Sequence, residues 1–561
     1  MMKIVLAQQN YHIGNFESNT HKIIEAIKIA KAKQVDLIVF SEMCICGYPA
    51  RDFLDFNDFI NKCYESIEAI KEYTDTIGVI VGAPDRNPLR EGKNLFNAAF
   101  LLYEKEIRGV AHKTCLPNYD VFDEYRYFEP AFNWNIIKFK GKKIALTICE
   151  DIWNLGDNPL YRICPMDILM NQQPEVMINI SASPFDYTHI EDRKAIIKAN
   201  VLKYKLPLIY CNAVGSQTEI VFDGASLVFD KDANLCAVLP QFKEEIAEVN
   251  LNDDGTIDAP VIEPALAMPN EFLDPLFYTP DLNISQVHDA IILGIEDYFK
   301  KMGFTKAIIG SSGGVDSAVT LALACEALGK ENVRAVLMPS EFSTPHSVDD
   351  AEKLSKNLGN PYDIIPIKNI YSQFIKEIEP FFKGLPFNIA EENIQSRLRG
   401  NLLMALANKF GYILLNTSNK SELATGYGTL YGDMAGGLGV IGDCYKTQVY
   451  ELAKFINSEI AIIPANIIAK APSAELRPDQ KDSDSLPAYD ILDKILYQYI
   501  ERVKGPNEIK QQGFDPALTD RILRLVNMNE YKRNQFCPVI RISPKAFGVG
   551  RRLPIVGNYL N

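Results

Sequence analysis

The sequence lacks the features of several protein classes. Among its 561 residues no apolar run approaches the roughly 20 that span a bilayer. The first residues contain no long apolar segment of the kind that a signal peptide needs. The 11 cysteines form no CxxC pair, and only six histidines are present. We therefore expect no membrane segment, no signal peptide, reduced thiols and a cytoplasmic location.

The chain also lacks an excess of positive charge. Its 58 lysines and arginines face 72 aspartates and glutamates, which gives a net charge of −14. Because the phosphates of a nucleic acid require a basic surface, we expect no nucleic-acid partner and no membrane partner. A single cleft can still be locally basic, so small-molecule substrates, nucleotides included, remain the expected partners.

Two regions differ in their pattern, which predicts two domains. In the first half several predicted strands follow one another without a helix between them, which is typical of a mixed α/β fold. Residues 261–282 contain four prolines and no clear period, which predicts a boundary. From residue 306 onward strands and helices alternate, which predicts a parallel sheet with ligands at the strand ends. We predict domains at 1–265 and 285–561, joined by a linker at 266–284.

A Ser/Gly-rich turn follows the apolar run Ala307-Ile308-Ile309 and opens a helix. Its glycines bring backbone amides close to a ligand, and the helix start favours an anion, so the turn predicts a phosphate cradle. It has Asp316 where the GxxxxGK[ST] loop places lysine, which favours a metal ion over transfer of a γ-phosphate. An ordinary strand-to-helix turn is the alternative. The candidate ATP-binding residues are Gly310, Ser311, Ser312, Gly313, Gly314, Val315, Asp316 and Ser317. The string SGGVDS resembles the loop of enzymes that split ATP into AMP and pyrophosphate.

Three reactive side chains in the first half suit amide hydrolysis. Glu42 and Cys149 each follow an apolar run, and Lys113 lies between them in the chain. A carboxylate can take the thiol proton, the thiolate can attack a carbonyl, and an ammonium can stabilise the oxyanion. Composition alone does not select these three residues, and a buried structural cysteine is the alternative for Cys149.

The blocks FSEM, HKTCLPNYDVFDEYRYF and ICEDIW resemble the nitrilase superfamily over roughly residues 3–265. The resemblance implies an α-β-β-α sandwich, with Glu42 as base, Lys113 as oxyanion stabiliser and Cys149 as nucleophile. In relatives that use glutamine it also implies binding of that substrate by Tyr119 and Ser183. His189 stands where those relatives have a lysine.

Further strings in the second half resemble the NAD synthetase family over most of residues 285–557, among them ENIQSRLRG, SNKSELATGYGTLYGD and SAELRPDQ. The resemblance implies a Rossmann-like ATP-pyrophosphatase fold and Mg²⁺ held by Asp316 and Glu422. It implies that ATP is also contacted by Thr417, Lys446 and Ser473. It implies that deamido-NAD is contacted by Asn393, Arg397, Glu422 and Lys532. Leu430 replaces a lysine of the ammonia-dependent relatives.

The glycines at 437, 439 and 442 match the GxGxxG pattern of dinucleotide folds. No strand is predicted before them, so we interpret residues 436–443 as a flexible loop over the second site.

A nitrilase-like half followed by this second half resembles the glutamine-dependent form of the NAD synthetase family. The resemblance implies ATP-driven adenylation of deamido-NAD, amidation with ammonia released from glutamine, and a homo-oligomer. Three alternatives are a glutamine-dependent ligase for another carboxylate, a tRNA-modifying ATP-pyrophosphatase, and an amidase whose second half only senses nucleotide. The acidic chain has no added basic domain for RNA, and Asp316 and Glu422 argue against a domain without catalytic function.

Overall fold

The computed structural model describes residues 1–155, 159–259, 284–473, 475–477, 482 and 486–560. The chain forms two compact units, Met1–Ala267 and Met268–Asn561. The predicted linker at 266–284 lies, except for its last residue, outside the described residues. No helix in the described ranges combines the length and apolar character needed to cross a membrane.

The first unit contains two large sheets. Its strands are β1 (Met2–Gln8), β2 (Leu37–Phe40), β3 (Gly78–Arg86), β4 (Leu95–Tyr103), β5 (Glu106–His112), β6 (Ile137–Phe139), β7 (Lys142–Ile148), β8 (Val176–Ser181), β9 (Leu208–Asn212), β10 (Val214–Gln217), β11 (Ile220–Asp223), β12 (Leu227–Phe229), β13 (Leu235–Val238), β14 (Glu245–Leu251) and β15 (Ile257–Asp258). Its helices are α1 (Phe16–Ala32), α2 (Asn57–Lys71), α3 (Pro165–Leu169) and α4 (His189–Tyr204).

These elements form an α-β-β-α sandwich. One sheet has the order β15-β14-β1-β2-β3-β4-β5, the other has the order β13-β12-β9-β8-β7-β6, and β10 and β11 form a separate pair. Residues of both large sheets share one buried apolar cluster between them. A second cluster lies under α1 and α2 on one outer face, and a third lies under α3 and α4 on the other. The predicted architecture is confirmed.

The apolar character of the strands follows from burial on both faces. In β1, Ile4 and Leu6 point into the cluster between the sheets, whereas Val5 and Ala7 point into the cluster under the helices. Successive side chains of a strand point to opposite faces, so a strand covered on both sides reads as a continuous apolar run.

The second unit has a five-stranded sheet with helices around it. In chain order its elements are α5 (Ile284–Met302), β16 (Ala307–Gly310), α6 (Val315–Leu328), β17 (Val333–Leu337), α7 (Pro345–Leu358), β18 (Tyr362–Ile364), α8 (Lys368–Phe382), α9 (Ile389–Phe410), β19 (Ile413–Asn416), α10 (Lys420–Thr425), β20 (Leu438–Gly439), α11 (Lys446–Ile456), α12 (Ala465–Ala469), α13 (Tyr489–Ile500), α14 (Pro506–Gln511), α15 (Pro516–Met528) and α16 (Glu530–Arg533).

The sheet of the second unit is parallel, with the order β18-β17-β16-β19-β20. Helix α9 packs against β16 and β19, while α5, α6 and α11 pack against one another. The segment between β16 and α6 leaves the carboxyl end of a strand in the middle of this sheet. Parallel sheets place their ligand crevices at such ends. The predicted parallel-sheet domain is confirmed.

The interpretation of residues 436–443 as a flexible loop is wrong. Leu438 and Gly439 form the edge strand β20, which runs parallel to β19, and residues 438–446 are buried. A Cβ on Gly439 would lie 3.0 Å from a Val539 side-chain carbon, and one on Gly442 would lie 2.5 Å from the same atom. The glycines therefore permit close packing against the chain near Val539, a requirement that the local sequence does not reveal.

Candidate active sites

Three of the predicted residues stand just beyond strand ends of the first unit. Glu42 lies two residues after β2, Lys113 directly after β5, and Cys149 directly after β7. The Lys113 ammonium is fully buried and donates to Oε1 of Glu42 across 2.9 Å. The charges of Glu42 and Lys113 both act on the Cys149 thiol. The structure therefore brings the three residues together.

Glu124 is a fourth polar residue of this site, and the sequence reasoning missed it. Its Oε1 accepts from Lys113 Nζ at 2.7 Å and from Tyr48 Oη at 2.9 Å. Asn97 donates to Glu42 at 2.7 Å and to Glu124 at 3.3 Å, so one amide joins the two carboxylates. Burial raises the pKa of Glu124 to about 7 despite the Lys113 charge. Glu124 belongs to the block HKTCLPNYDVFDEYRYF, which was the only signal for it in the sequence.

Cys149 has a special backbone position. It opens a short 3-10 helix, Cys149–Ile152, and has φ of 45°, in the left-handed region that non-glycine residues rarely adopt. Its side chain is buried, and burial together with the Glu42 charge raises the pKa of the thiol well above its usual value. This environment therefore favours the thiol form of Cys149 over the thiolate.

Asp151 connects the cysteine turn to the lysine segment. Its Oδ1 accepts from the backbone N–H groups of Thr114 and Cys115 at 2.8 and 2.9 Å, and its Oδ2 accepts from that of Ile148 at 3.0 Å. One carboxylate thus holds the residue before Cys149 and the two residues after Lys113. Burial raises the pKa of Asp151 to about 6, although the three N–H groups oppose the shift.

The predicted glutamine-binding residues have contacts with residues 150 and 153 or with one another. Tyr119 donates from its hydroxyl to Glu150 across 3.0 Å. The Ser183 hydroxyl lies 3.0 Å from Nε2 of His189, and the His189 ring stacks on Trp153 with 4.9 Å between centroids. Tyr119 is therefore bonded to the residue after Cys149, and His189 connects Ser183 with Trp153.

In the second unit, the predicted phosphate loop lines a cavity of about 310 Å³ at the strand ends. The lining includes Gly310, Ser311, Ser312, Gly314, Val315, Asp316 and Ser317. Gly313 instead packs against α7. Its φ is +79°, and a Cβ there would lie 2.2 Å from the carbonyl oxygen of Ser347. The loop therefore packs against α7 at Gly313, and its other residues line the cavity.

Hydroxyl groups hold the loop in shape where α6 begins. The hydroxyls of Ser312 and Ser317 lie 3.1 Å apart, and Ser312 accepts from the Gly314 N–H at 3.2 Å. Ser317 in turn donates to the Gly314 carbonyl at 3.0 Å. These bonds aim the first turn of α6 at the cavity, where its free N–H groups attract an anion.

A charged cluster lies beside this loop. Lys446 Nζ lies 2.5 Å from Oδ2 of Asp316 and 3.6 Å from Oε1 of Glu422. Asn419 donates to the other oxygen of Asp316 at 2.9 Å. Burial and the Asp316 charge raise the pKa of Glu422 to about 8. Asp316 and Glu422 both line the cavity, and two carboxylates there fit Mg²⁺, which takes one or two carboxylates together with substrate phosphates. The described residues hold no cluster of three or more acidic, histidine or cysteine side chains that would bind a metal unaided.

The remaining predicted residues divide into two groups. Thr417 and Ser473 line the cavity beside Glu422 and Lys446. The other three contact residues 426–430, which follow α10: Asn393 accepts from the Thr429 hydroxyl at 2.9 Å, Arg397 donates to the Leu430 carbonyl at 3.2 Å, and Lys532 donates to the Gly426 and Gly428 carbonyls at 2.8 and 2.9 Å. The structure does not bring these three onto the described lining of the cavity.

Comparison with known proteins gives a family for each half of the chain. Two family models match the chain: carbon-nitrogen hydrolase over residues 3–259 and NAD synthase over residues 287–536. The chain is 41% identical to the glutamine-dependent NAD(+) synthetase of Synechocystis sp., over 99% of this chain and 98% of the relative. It is 39% identical to that of Thermotoga maritima, over 100% and 99%.

A solved structure agrees over the same length. The glutamine-dependent NAD+ synthetase from Acinetobacter baumannii, in complex with ADP, is 36% identical and superposes with a TM-score of 0.77, covering 99% of this chain and 98% of its own. With full-length relatives at this identity and both family models in the same order, the chain belongs to the glutamine-dependent NAD(+) synthetases.

Proposed function

We propose that the protein makes NAD+ from deamido-NAD+, ATP and glutamine, releasing AMP, pyrophosphate and glutamate. The observation that carries the proposal is the presence of two complementary sites in one chain. One contains a buried Glu42–Lys113 pair beside the Cys149 thiol, and the other contains a phosphate loop beside Asp316 and Lys446. The first suits release of ammonia from an amide, and the second suits activation of a carboxylate.

At the first site Glu42 accepts the proton of the Cys149 thiol as the sulfur attacks the carboxamide carbon of glutamine. The Lys113 ammonium, buried and already bonded to Glu42, stabilises the negative charge on the carbonyl oxygen. The proton returns to the nitrogen, the C–N bond breaks, and ammonia leaves a thioester on Cys149. Water, deprotonated by Glu42, then attacks the thioester and releases glutamate and the thiol.

The raised pKa of Cys149 has a role in this sequence. Because burial and the Glu42 charge disfavour the thiolate, the sulfur stays protonated until a carbonyl is in place. We propose that the substrate itself is positioned by Tyr119, Ser183 and His189. All three contact the turn Cys149–Ile152, the adjoining Trp153, or each other.

At the second site the nicotinate carboxylate must become a better electrophile. A carboxylate oxygen of deamido-NAD+ attacks the α-phosphorus of ATP, and pyrophosphate leaves. Ammonia then attacks the carbonyl carbon of the mixed anhydride, loses a proton, and AMP leaves. We propose that the phosphates are held by the loop from Gly310 to Ser317, with further contacts from Thr417, Lys446 and Ser473.

The same site has candidate residues for deamido-NAD+ and for a metal. Asn393, Arg397 and Lys532 bond to residues 426–430, and we propose that oxygen atoms of deamido-NAD+ replace some of these partners, with Glu422 nearby. Asp316 and Glu422 would hold Mg²⁺, which would neutralise charge on the ATP phosphates. We further propose a homo-oligomer in the cytoplasm, with catalytic domains at 1–265 and 285–561.

The decisive experiment measures NAD+ formation from deamido-NAD+, ATP and Mg²⁺ with either glutamine or ammonium as the nitrogen source. Cys149→Ala is expected to lose glutamine-driven synthesis and keep ammonium-driven synthesis. Cys236→Ala, which removes a partly exposed thiol on β13, is the matched control and is expected to keep both. If the unaltered protein forms no NAD+ from either source, the proposal fails and other carboxylates become the substrates to test.

A further inference from the structure

Arg399 lies in the wall of the nucleotide cavity, and neither the sequence analysis nor the reaction above gives it a role. One face of α9 lines the cavity, through Ser396, Arg399, Gly400 and Leu403. These positions follow the spacing of a helical face. Arg397 lies two residues before Arg399, on another side of the helix, and donates to the Leu430 carbonyl instead. The side chains of Arg397 and Arg399 therefore contact different parts of the second unit.

The contacts of Arg399 leave most of its guanidinium free. Its Nε donates to the carbonyl oxygen of Met338, just after β17, at 3.0 Å. Among the residues that the structure describes, this is its hydrogen-bond partner, and no carboxylate lies within ion-pair distance of it. Burial lowers the pKa of Arg399 to about 10, against the charges of Asp433 and Glu475. A cation held in this way lacks an anion.

A second donor in the same wall is also free. The Ser311 hydroxyl is buried, and within the described ranges it has no hydrogen-bond partner. Ser311 is part of the cavity lining, and buried polar atoms are normally satisfied, so its unpaired hydroxyl indicates a ligand atom. Lys446, on the same cavity, differs because it is paired with Asp316. Lys470, also on the lining, lies 3.8 Å from a carboxylate oxygen of Asp350. Of these three cations, Arg399 is therefore the one without a carboxylate within ion-pair distance among the described residues.

We propose that Arg399, together with the Ser311 hydroxyl, binds oxygen atoms of the ATP phosphates. The inference rests on the proposed function, because it takes the cavity to be the ATP site. A guanidinium offers two parallel N–H groups that match two oxygens of a phosphate. Ser311 and Arg399 line the same cavity, so both donors are available to a nucleotide bound there. Asp316 and Lys446 then serve a different part of the phosphate chain.

The test is equilibrium binding of ATP, with Mg²⁺ present and deamido-NAD+ absent, to the full-length protein. Arg399→Gln is expected to raise the ATP Kd about tenfold or more, the effect of losing a charged hydrogen-bond donor. Arg399→Lys keeps the charge without the fork and is expected to raise it by less. Lys409→Gln removes a positive charge from an exposed position on the same helix and is expected to leave the Kd unchanged. Thermal unfolding reports whether each variant is folded.

Steady-state measurements separate this inference from the proposed function. The unaltered protein must first form NAD+, and the variants are then compared for the KM of each substrate with ammonium as nitrogen donor. A rise in the KM for ATP with little change in that for deamido-NAD+ supports the inference. A rise only in the KM for deamido-NAD+ would assign Arg399 to that substrate's carboxylate and overturn it. Unchanged ATP binding in folded Arg399→Lys and Arg399→Gln would also overturn it.

Discussion

Lys113 and Glu124 form a fully buried ion pair, with 2.7 Å between Nζ and Oε1. The same ammonium contacts Glu42, so one cation faces two carboxylates in the interior of the first unit. Burial alone would lower the pKa of Lys113, but the charges of Glu124 and Glu42 raise it well above its usual value. The ammonium therefore stays protonated, which is the state that stabilises an oxyanion.

Glu124 is expected to give glutamine hydrolysis a dependence on pH. Its pKa is raised to about 7, so the carboxyl loses its charge as the pH falls through that value and releases its hold on Lys113. The kcat/KM for glutamate release should therefore rise with pH through about 7. In Glu124→Gln the kcat/KM should fall by about 100-fold, and the rising limb of its pH profile should disappear. An unchanged limb in the variant would assign the titration to another group.

The raised pKa of Glu124 also makes the free energy of unfolding depend on pH. Between the unfolded pKa of 4.5 and the folded value of about 7, the folded protein binds a proton that the unfolded chain does not. The contribution of Glu124 to the free energy of unfolding is therefore present at low pH and is lost as the pH rises through about 7. Comparing the urea midpoints of the unaltered protein and Glu124→Gln across this range measures it.

Asp151→Asn is expected to lower stability. Of the two reactions, it should impair glutamine hydrolysis and not NAD+ formation from ammonium. An asparagine offers one oxygen where the carboxylate offers two, and its amide group would face buried N–H donors. The free energy of unfolding should fall by about 3 kcal/mol, because buried donors lose their partner. Glutamate release should fall while ammonium-driven NAD+ formation persists. Asp254→Asn, at an exposed aspartate that also accepts a backbone N–H, is the matched control and should change neither.

Gly313→Ala should impair ATP binding much more than a comparable change elsewhere. Both Gly313 and Gly303 have positive φ, +79° and +74°, so alanine strains the backbone at each. Strain alone costs about 1 kcal/mol. Only at Gly313 would the new Cβ also lie 2.2 Å from a carbonyl oxygen, whereas at Gly303 nothing lies within 4 Å. Titration with ATP and thermal unfolding of both variants should show a large loss for Gly313→Ala and a small loss of stability for Gly303→Ala.

Asp316→Asn is expected to abolish NAD+ formation with glutamine and with ammonium alike. The change removes the negative partner of Lys446 and one of the two carboxylates that would hold Mg²⁺. Release of glutamate from glutamine should remain measurable, because the first site keeps all of its residues. Isotope-labelled pyrophosphate exchange into ATP would locate the lost step. Retention of ammonium-driven synthesis near the normal rate would contradict the role given to Asp316.

The sequence predicted those parts of the molecule that depend on local pattern. The alternation of strands and helices around β16 follows directly from burial on one face or two. The resemblance of the motif blocks to a known family identified Cys149 and Lys113. The Ser/Gly-rich pattern after an apolar run identified the phosphate loop.

The sequence did not predict contacts between distant segments, because these contacts depend on the fold and not on local pattern. Glu124 joins Lys113 through the fold of an irregular segment, and no spacing rule links the two. Arg397 and Arg399 differ by two positions, and only the orientation of α9 decides which one lines the cavity. The glycines of β20 were misinterpreted because their role depends on Val539, about a hundred residues further along the chain.

The left-handed backbone of Cys149 implies a trade-off between catalysis and stability. Glycine is the residue that adopts φ of 45° without strain, yet a glycine there would have no thiol. The first unit therefore keeps a cysteine, the proposed nucleophile, at a position where the backbone favours another residue. A lineage that came to rely on free ammonia would gain stability by replacing Cys149 with glycine, whereas alanine or serine would abolish hydrolysis and keep the strain.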